Sequence, residues 1–467
     1  MRRAARYRGT FAAARAIVAD LPNCWFGPLV RTPAAALRNR GAARYAATFA
    51  TEMAVLLLNM VTLRLAATLF GPTGFGGYSV AKRAVNVLTY PLLLGLGIAF
   101  PKFVAQASAG SRPGAARRAY VAAWGWIAAL SLGLFSILAT LMRGQLTQAF
   151  FGSSSFEHFA APIVLCTVGL YLQTGVYAYF RALLRMDVAN TFRFLTSGVV
   201  PLASVAAAHG SPARALFVLG SVWTASALLP GVAIAARERP QAASPAEVLG
   251  SVTQLLVYGL PRVPGELALF GLFSLPPIWA SHRLGVEAAG FVSFGLSLVQ
   301  YLGALFSAAS ILLLPYLSRL AALGEWRRIK QVVGALSAFS LLSLSVIVAA
   351  GCLASGVLVR ALLGESFSPA EPLVRVLLLS SVPYGYYVVV RSALDSLATW
   401  PHNSINLTVS LAVLLVFLQM GTSVGAEAAG VCVGLVVLAA LSYRSWHRVV
   451  RSVEGRTAAT GRSQGSC

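Results

Sequence analysis

Long apolar runs separated by short polar segments set the rhythm of this chain. "AYVAAWGWIAALSLGLFSILATLM" (119–142) runs 24 residues without a charge, and a helix of about 20 apolar residues crosses a bilayer. The runs lack strand-like alternation, and backbone groups in lipid must bond internally, so the pattern predicts helices rather than a barrel. Twelve spans are predicted, at 45–69, 78–101, 119–142, 159–181, 190–208, 213–236, 251–280, 290–316, 333–358, 373–394, 403–421 and 426–444. The expected fold class is an all-α polytopic membrane protein.

The spans repeat. Sliding the sequence by 214 residues lays Gly71 on Gly285, Gly76 on Gly290, Ser79 on Ser293, Pro101 on Pro315 and Gly110 on Gly324. Glycine and proline mark turns and helix ends, so their recurrence in one ungapped register points to a duplicated structure. Further on, an offset of 210 lays Pro162, Gly175, Tyr177, Arg181 and Leu184 on Pro372, Gly385, Tyr387, Arg391 and Leu394. Spans 1–6 and 7–12 are therefore read as two pseudo-symmetric six-helix lobes, and an even number of spans per lobe gives both the same orientation. The expected domains are a basic extension (1–44), an N-lobe (45–236), a linker (237–250), a C-lobe (251–446) and a polar tail (447–467).

Composition agrees with this reading. The chain is 57% hydrophobic and 11% charged, against about 25% charged in soluble domains, and its mean hydropathy is +0.74. The net charge of +23 would suggest nucleic acid, but its placement argues otherwise. With the end turns of spans counted in the flanking segments, the side holding both termini carries 28 Lys and Arg and the opposite side 4. That asymmetry places both termini in the cytoplasm, and a nucleic-acid partner is not expected. Attraction to anionic membrane lipids is a side effect of it. The first 44 residues hold nine arginines and one acid, Asp20. They are expected to be an extension lying on the inner membrane surface, and no cleavable signal peptide is evident. The segment "SVEGRTAATGRSQGSC" (452–467) is expected to be disordered. Cys24, Cys166, Cys352, Cys432 and Cys467 show no paired spacing and read as packers or free thiols.

Few charges lie deep in the spans, and an ionisable group there usually faces a cavity or a partner. Glu52, in "FATEMAVLLLNM", is the first, and the 214-residue register places it on Glu266. The pair is expected on the path between the lobes. Desolvation favours a protonated carboxylate, so either could take part in ion coupling, although an ion pair within one lobe is the plainer role. Arg262 lies four residues before Glu266, and "PRVPG" between them should kink the helix. It would grip a phosphate or neutralise Glu266. Arg64, Lys82 and Arg83 lie toward the outer ends of spans 1 and 2, where they would snorkel or attract an anionic pyrophosphate. The second repeat has Ile278, Leu296 and Ser297 in their places. Arg181, Arg391 and Asp395 read as interfacial anchors. Tyr177, Tyr384, Tyr386 and Tyr387 would stack on sugar or pack between helices.

"LFGPTGFGGYSVA" (69–81), "YGLPRVPGELALF" (258–270) and "GFVSFGLSLVQYLGALFSAASILLLPYLSRLAALG" (290–324) resemble the polysaccharide-transporter branch of the multidrug/oligosaccharidyl-lipid/polysaccharide (MOP) exporter superfamily, above all its O-antigen-type flippases. The resemblance covers about residues 45–445. It implies the MATE-like fold, a central cavity and alternating access. The implied cargo is a polyprenyl-pyrophosphate-linked oligosaccharide, an O-antigen, capsule or exopolysaccharide repeat unit. The implied setting is the cytoplasmic membrane of a prokaryote, with polysaccharide polymerase or export machinery as partners. No cofactor or metal is expected, and coupling to protons or sodium is left open. A multidrug cation antiporter of the same fold is the alternative. A glycan polymerase or glycosyltransferase would need clustered acid–base or metal-binding groups on an outer loop. Those loops offer only scattered candidates such as Glu157, His158, His282 and Glu427, so no catalytic residue is expected.

Overall fold

The computed structural model describes residues 34–109, 113–238, 243–397 and 401–463. Among them there is no strand. Ten helical stretches are long and apolar enough to cross a membrane. The first of these, Ala46–Leu92, holds span 1 and half of span 2, and the fifth crossing is assembled from shorter pieces, which brings the crossings to twelve. The face carrying residues 34 and 463 is called the basic face below, and the opposite one the distal face.

The N-lobe starts with α1 (Ala34–Leu92), which reverses direction at Gly71 without a loop. The predicted gap between spans 1 and 2 is thus absent. Gly71 takes φ 65° and Pro72 opens the returning helix, where a missing N–H costs nothing. Next come α2 (Leu96–Ala109), α3 (Pro113–Leu141), the short α4 (Arg143–Phe151) and α5 (Ala160–Ala182). Span 5, predicted as one helix, comprises α6 (Met186–Phe194), a π turn (Leu195–Val199) and α7 (Val200–Ala206). A π turn displaces carbonyls from the helical ladder. Here Asn59 Nδ2 donates to Ser197 O (3.1 Å) and Trp223 Nε1 to Thr196 O (2.6 Å), so neighbouring spans satisfy them. The lobe ends with α8 (Pro212–Glu238).

Span 7 begins with α9 (Pro245–Gly259), started by a capping box between Ser244 and Glu247. It breaks at the short 3-10 turn Leu260–Arg262 and resumes as α10 (Val263–Leu284). The kink falls at the "PRVPG" stretch that predicts it. Gly285 (φ 92°) then makes the turn into α11 (Val286–Ala322), the counterpart of Gly71 in the first lobe. The C-lobe continues with α12 (Trp326–Leu353), α13 (Ser355–Leu362), α14 (Glu371–Leu379), α15 (Ser381–Leu397), α16 (His402–Met420) and α17 (Val424–Ser463).

The second register reappears in the packing. Gly175 of α5 lies under the ring of Trp124 from α3, and a Cβ there would come within 2.0 Å of it. Its partner Gly385 of α15 takes Leu344 of α12 in the same way, at 2.1 Å. Small residues let membrane helices approach where no hydrophobic force drives them together.

The ends differ from the sequence expectation. Helix α1 starts at Ala34, inside the predicted extension, while residues 1–33 lie outside the described ones. Helix α17 runs on to Ser463, through residues expected to be disordered. Extending an existing helix needs no new nucleus, so a weakly helical tail can follow a membrane span.

Candidate functional site

The lobes meet along the returning arm of α1 and along α11, at positions that the repeat equates. A Cβ on Gly290 would sit 2.9 Å from the Cα of Gly76, so the matched glycines touch. Seven residues on, Arg83 faces its own counterpart. Its side chain, 6% exposed, donates to Ser293 Oγ (3.2 Å), Ser293 O (3.1 Å), Ser297 Oγ (3.1 Å) and Gln300 Oε1 (3.0 Å). None of these acceptors is a carboxylate.

Other contacts extend the seam to the distal rim. Arg64 Nη1 donates to Arg360 O (3.0 Å), Ser281 Oγ to Phe151 O (3.2 Å), and His282 Nε2 lies 2.9 Å from Ala149 O. Phe75 meets Phe367 edge to face. The lobes are in contact along the distal side. Of the three outer cations singled out in the sequence, Arg64 and Arg83 tie the lobes together. Lys82 turns into the N-lobe, its ammonium 5.3 Å from the Tyr78 ring centre.

Deeper in the molecule the charges are linked through tyrosines. Glu52 is held by Arg193 of α6 in a two-pronged pair, 2.5 Å to Nε and 3.1 Å to Nη2, within the N-lobe. Arg193 and Arg181 both lie over the Tyr177 ring, at 5.6 and 5.4 Å. Tyr90 is the bridge to the C-lobe. It stacks on Phe270 of α10 and lies within electrostatic reach of both Arg193 and Glu266.

Glu266 differs from its repeat partner. It forms no hydrogen bond or ion pair among the described residues, and the charges that act on it are Arg391 and Arg262. Arg262 instead donates to Tyr258 O (2.6 Å) and lies 3.7 Å over the Tyr258 ring, which Lys102 of α2 also approaches at 3.7 Å. Arg391 pairs with Asp395 (3.6 Å) one turn on, and Asn403 ties Asp395 to the start of α16 (2.5 Å). Tyr387 is buried against the Tyr384 ring.

A connected belt results. Its cations are Lys102, Arg181, Arg193, Arg262 and Arg391, and its carboxylates are Glu52, Glu266 and Asp395, a net charge of +2 on these residues. Sequence reasoning found six of these eight as site or anchor residues. It missed Arg193 and Lys102, which sit near span ends and look like ordinary topology arginines and lysines. It also missed Tyr90, Tyr258 and Phe270, which carry no signal until α9 and α10 are placed against α2. Among the described residues no group of His, Cys, Asp and Glu is arranged to hold a metal ion.

No family model and no curated relative matches the sequence. Solved structures do match. A eukaryotic MATE transporter, AtDTX14, superposes with a TM-score of 0.61 at 14% identity, covering 89% of this chain and 99% of its own. A multidrug-resistance MATE transporter of the MOP superfamily in its inward-facing conformation gives 0.63 at 14% identity, with 88% and 99% covered. A MOP superfamily transporter from Pyrococcus furiosus, described by a binding pocket of reverse polarity that suggests a different function, gives 0.57 at 14% identity, with 88% and 96% covered. The fold is that of the MATE transporters of the MOP superfamily, and the chain is a multi-pass membrane protein. The proteins it resembles are transporters rather than enzymes.

Proposed function

We propose that this protein is a flippase that carries a polyprenyl-pyrophosphate-linked oligosaccharide across the cytoplasmic membrane of a prokaryote, with both termini in the cytoplasm. The observation that carries this reading is the belt, where cations outnumber carboxylates and tyrosine faces lie between them. Guanidinium groups suit phosphate oxygens, and aromatic faces suit sugar rings. A cavity built for organic cations calls for the opposite charge balance. The basic face is then cytoplasmic, and the inter-lobe contacts on the distal side support a state that loads cargo from the inner leaflet.

The decisive experiment is mass spectrometry of lipid extracts from cells lacking the protein. A polyprenyl-linked oligosaccharide should accumulate and the matching surface glycan should disappear. An unchanged lipid pool with new sensitivity to cationic dyes would instead support the multidrug antiporter, which has the same fold.

Ion coupling is assigned to Glu266 rather than Glu52, because Arg193 already neutralises Glu52. Glu266→Gln is expected to flatten the pH dependence of transport in proteoliposomes. Since Glu266 holds no hydrogen bond among the described residues, stability should change by only about 0.5 kcal/mol. A variant that keeps the wild-type pH profile refutes the assignment.

A further inference from the structure

We infer that the outer flank of the N-lobe contains a binding groove for one hydrocarbon chain of an anionic membrane lipid, with Arg118 at its headgroup. The groove follows from the kink in span 7. Below the 3-10 turn, α9 leans away from the C-lobe and packs on α2 and α3. It does not fill the space between α3 and α8. A cavity of about 820 Å³ remains, within the range of about 300–1,000 Å³ typical of sites that bury a small ligand.

The lining is chemically uniform. Val121 and Trp124 of α3, Val176 of α5, Ile234 of α8 and Val248 and Val252 of α9 form its walls, and no charged side chain is among the lining residues. Tyr179 reaches the groove with its ring, while its hydroxyl donates to Glu238. Two glycines widen it. A Cβ on Gly125 or on Gly231 would meet no atom within 4 Å. The mouth opens sideways, since its lining residues Trp126 and Leu249 are 70% and 67% exposed. On a membrane-spanning surface that opening faces lipid, so the natural filling is hydrocarbon rather than water.

Charge lies one helical turn beyond one end of the groove. Arg118 lies one turn before Val121 and Ala122 on α3, toward the basic face. Its neighbour Arg117 is committed to Glu238, at 2.7 Å. Arg118 forms no ion pair among the described residues, and its Nε is buried without an acceptor. An apolar slot ending in an uncompensated guanidinium matches a lipid with one acyl chain inward and a phosphodiester at the rim. A single cation fits the single charge of phosphatidylglycerol. No belt residue lines the groove, so its occupant is a resident lipid rather than the cargo's tail. Because α9 forms one wall, occupancy is felt directly by the half of span 7 that crosses between the lobes.

The test is native mass spectrometry of the full-length protein, stripped of lipid in detergent and titrated with phosphatidylglycerol or phosphatidylcholine. One phosphatidylglycerol should be retained with about tenfold preference, equivalent to about 1.4 kcal/mol. Arg118→Gln should remove the preference, and Gly125→Leu with Gly231→Leu should remove the bound lipid. A second measurement on unaltered protein guards against misfolded variants. Phosphatidylglycerol brominated on its acyl chain should quench tryptophan fluorescence saturably, at the same concentrations, through Trp124 and Trp126. Equal retention of both lipids, retention unaffected by the leucine pair, or absence of saturable quenching would overturn the inference. Displacement of phosphatidylglycerol by a polyprenyl phosphate, one for one, would also overturn it, by making the groove a cargo site.

Discussion

Replacing Arg83 with leucine is expected to raise the fraction of molecules open at the distal face on the order of 50-fold. Arg83 gives four hydrogen bonds across the seam, all to groups on α11. Side-chain hydrogen bonds between membrane helices average about 0.6 kcal/mol, so the four together supply roughly 2–3 kcal/mol to the sealed state. No carboxylate holds the guanidinium, so it can leave the seam without stranding a buried anion. That suits a contact that must break and re-form in each transport cycle. Turnover should fall, because return to the sealed state becomes limiting. Ser79, 5% exposed and close to the seam, offers the readout. With the five native cysteines replaced, Ser79→Cys should react slowly with a membrane-impermeant thiol reagent, and much faster when Arg83→Leu is added. Equal reaction rates in the two backgrounds would show that Arg83 does not hold the seam.

The second large effect concerns Glu52 and Arg193. Removing one member of a buried pair strands the other charge and costs about 3–5 kcal/mol. Here the side chains are 27% and 37% exposed, so Arg193→Gln should cost less, about 2 kcal/mol. Glu52→Gln should cost less still, because the arginine keeps its contact with Tyr177. The double variant should recover most of the stability lost in Arg193→Gln, with a coupling of about 1–2 kcal/mol in a double-mutant cycle followed by thermal unfolding in detergent. Transport by the double variant then separates the two roles open to Glu52. Normal transport means that the pair only braces span 1 against span 5. Lost transport with recovered stability means that the charges act on cargo or ion. Additive losses in the cycle would show that the pair contributes nothing.

Much of the architecture could be read from the chain because glycine reports backbone geometry. Gly71 and Gly285 recur at 214 residues, and both turn out to take the positive φ that a loopless reversal requires. The apolar runs marked the crossings. The kink in span 7 was legible from "PRVPG" for the same reason, since proline removes a donor and glycine relaxes the backbone. What the kink does was not legible. Nothing in the sequence of α9 says that it will lean on α2 and α3, and that placement creates both the Lys102–Tyr258–Arg262 stack and the lateral groove. Arg193 stayed hidden for a different reason. A single arginine near a span end is accounted for by topology alone, and only the packing of α6 on α1 brings its side chain opposite Glu52. Arg64 and Arg83 could be recognised as unusual, but whether a cation in a span meets a ligand or a neighbouring helix depends on helix rotation, which a charge pattern does not encode.

The contact between Arg83 and Ser297 lies on the axis that relates the two lobes, and this has a bearing on how such a chain can arise. Consider one lobe pairing with an identical copy. In a two-fold dimer, a residue on the axis meets its own twin. Glycine tolerates that arrangement, as Gly76 against Gly290 shows. Arginine does not, because two buried guanidinium groups would be forced together with no anion between them. Joining the copies in one polypeptide lifts the constraint, since each side of the axis can then change alone. The arginine that seals this protein is therefore a device open to a fused pair and closed to a homodimer, and it marks the place where the duplicated halves stopped being interchangeable.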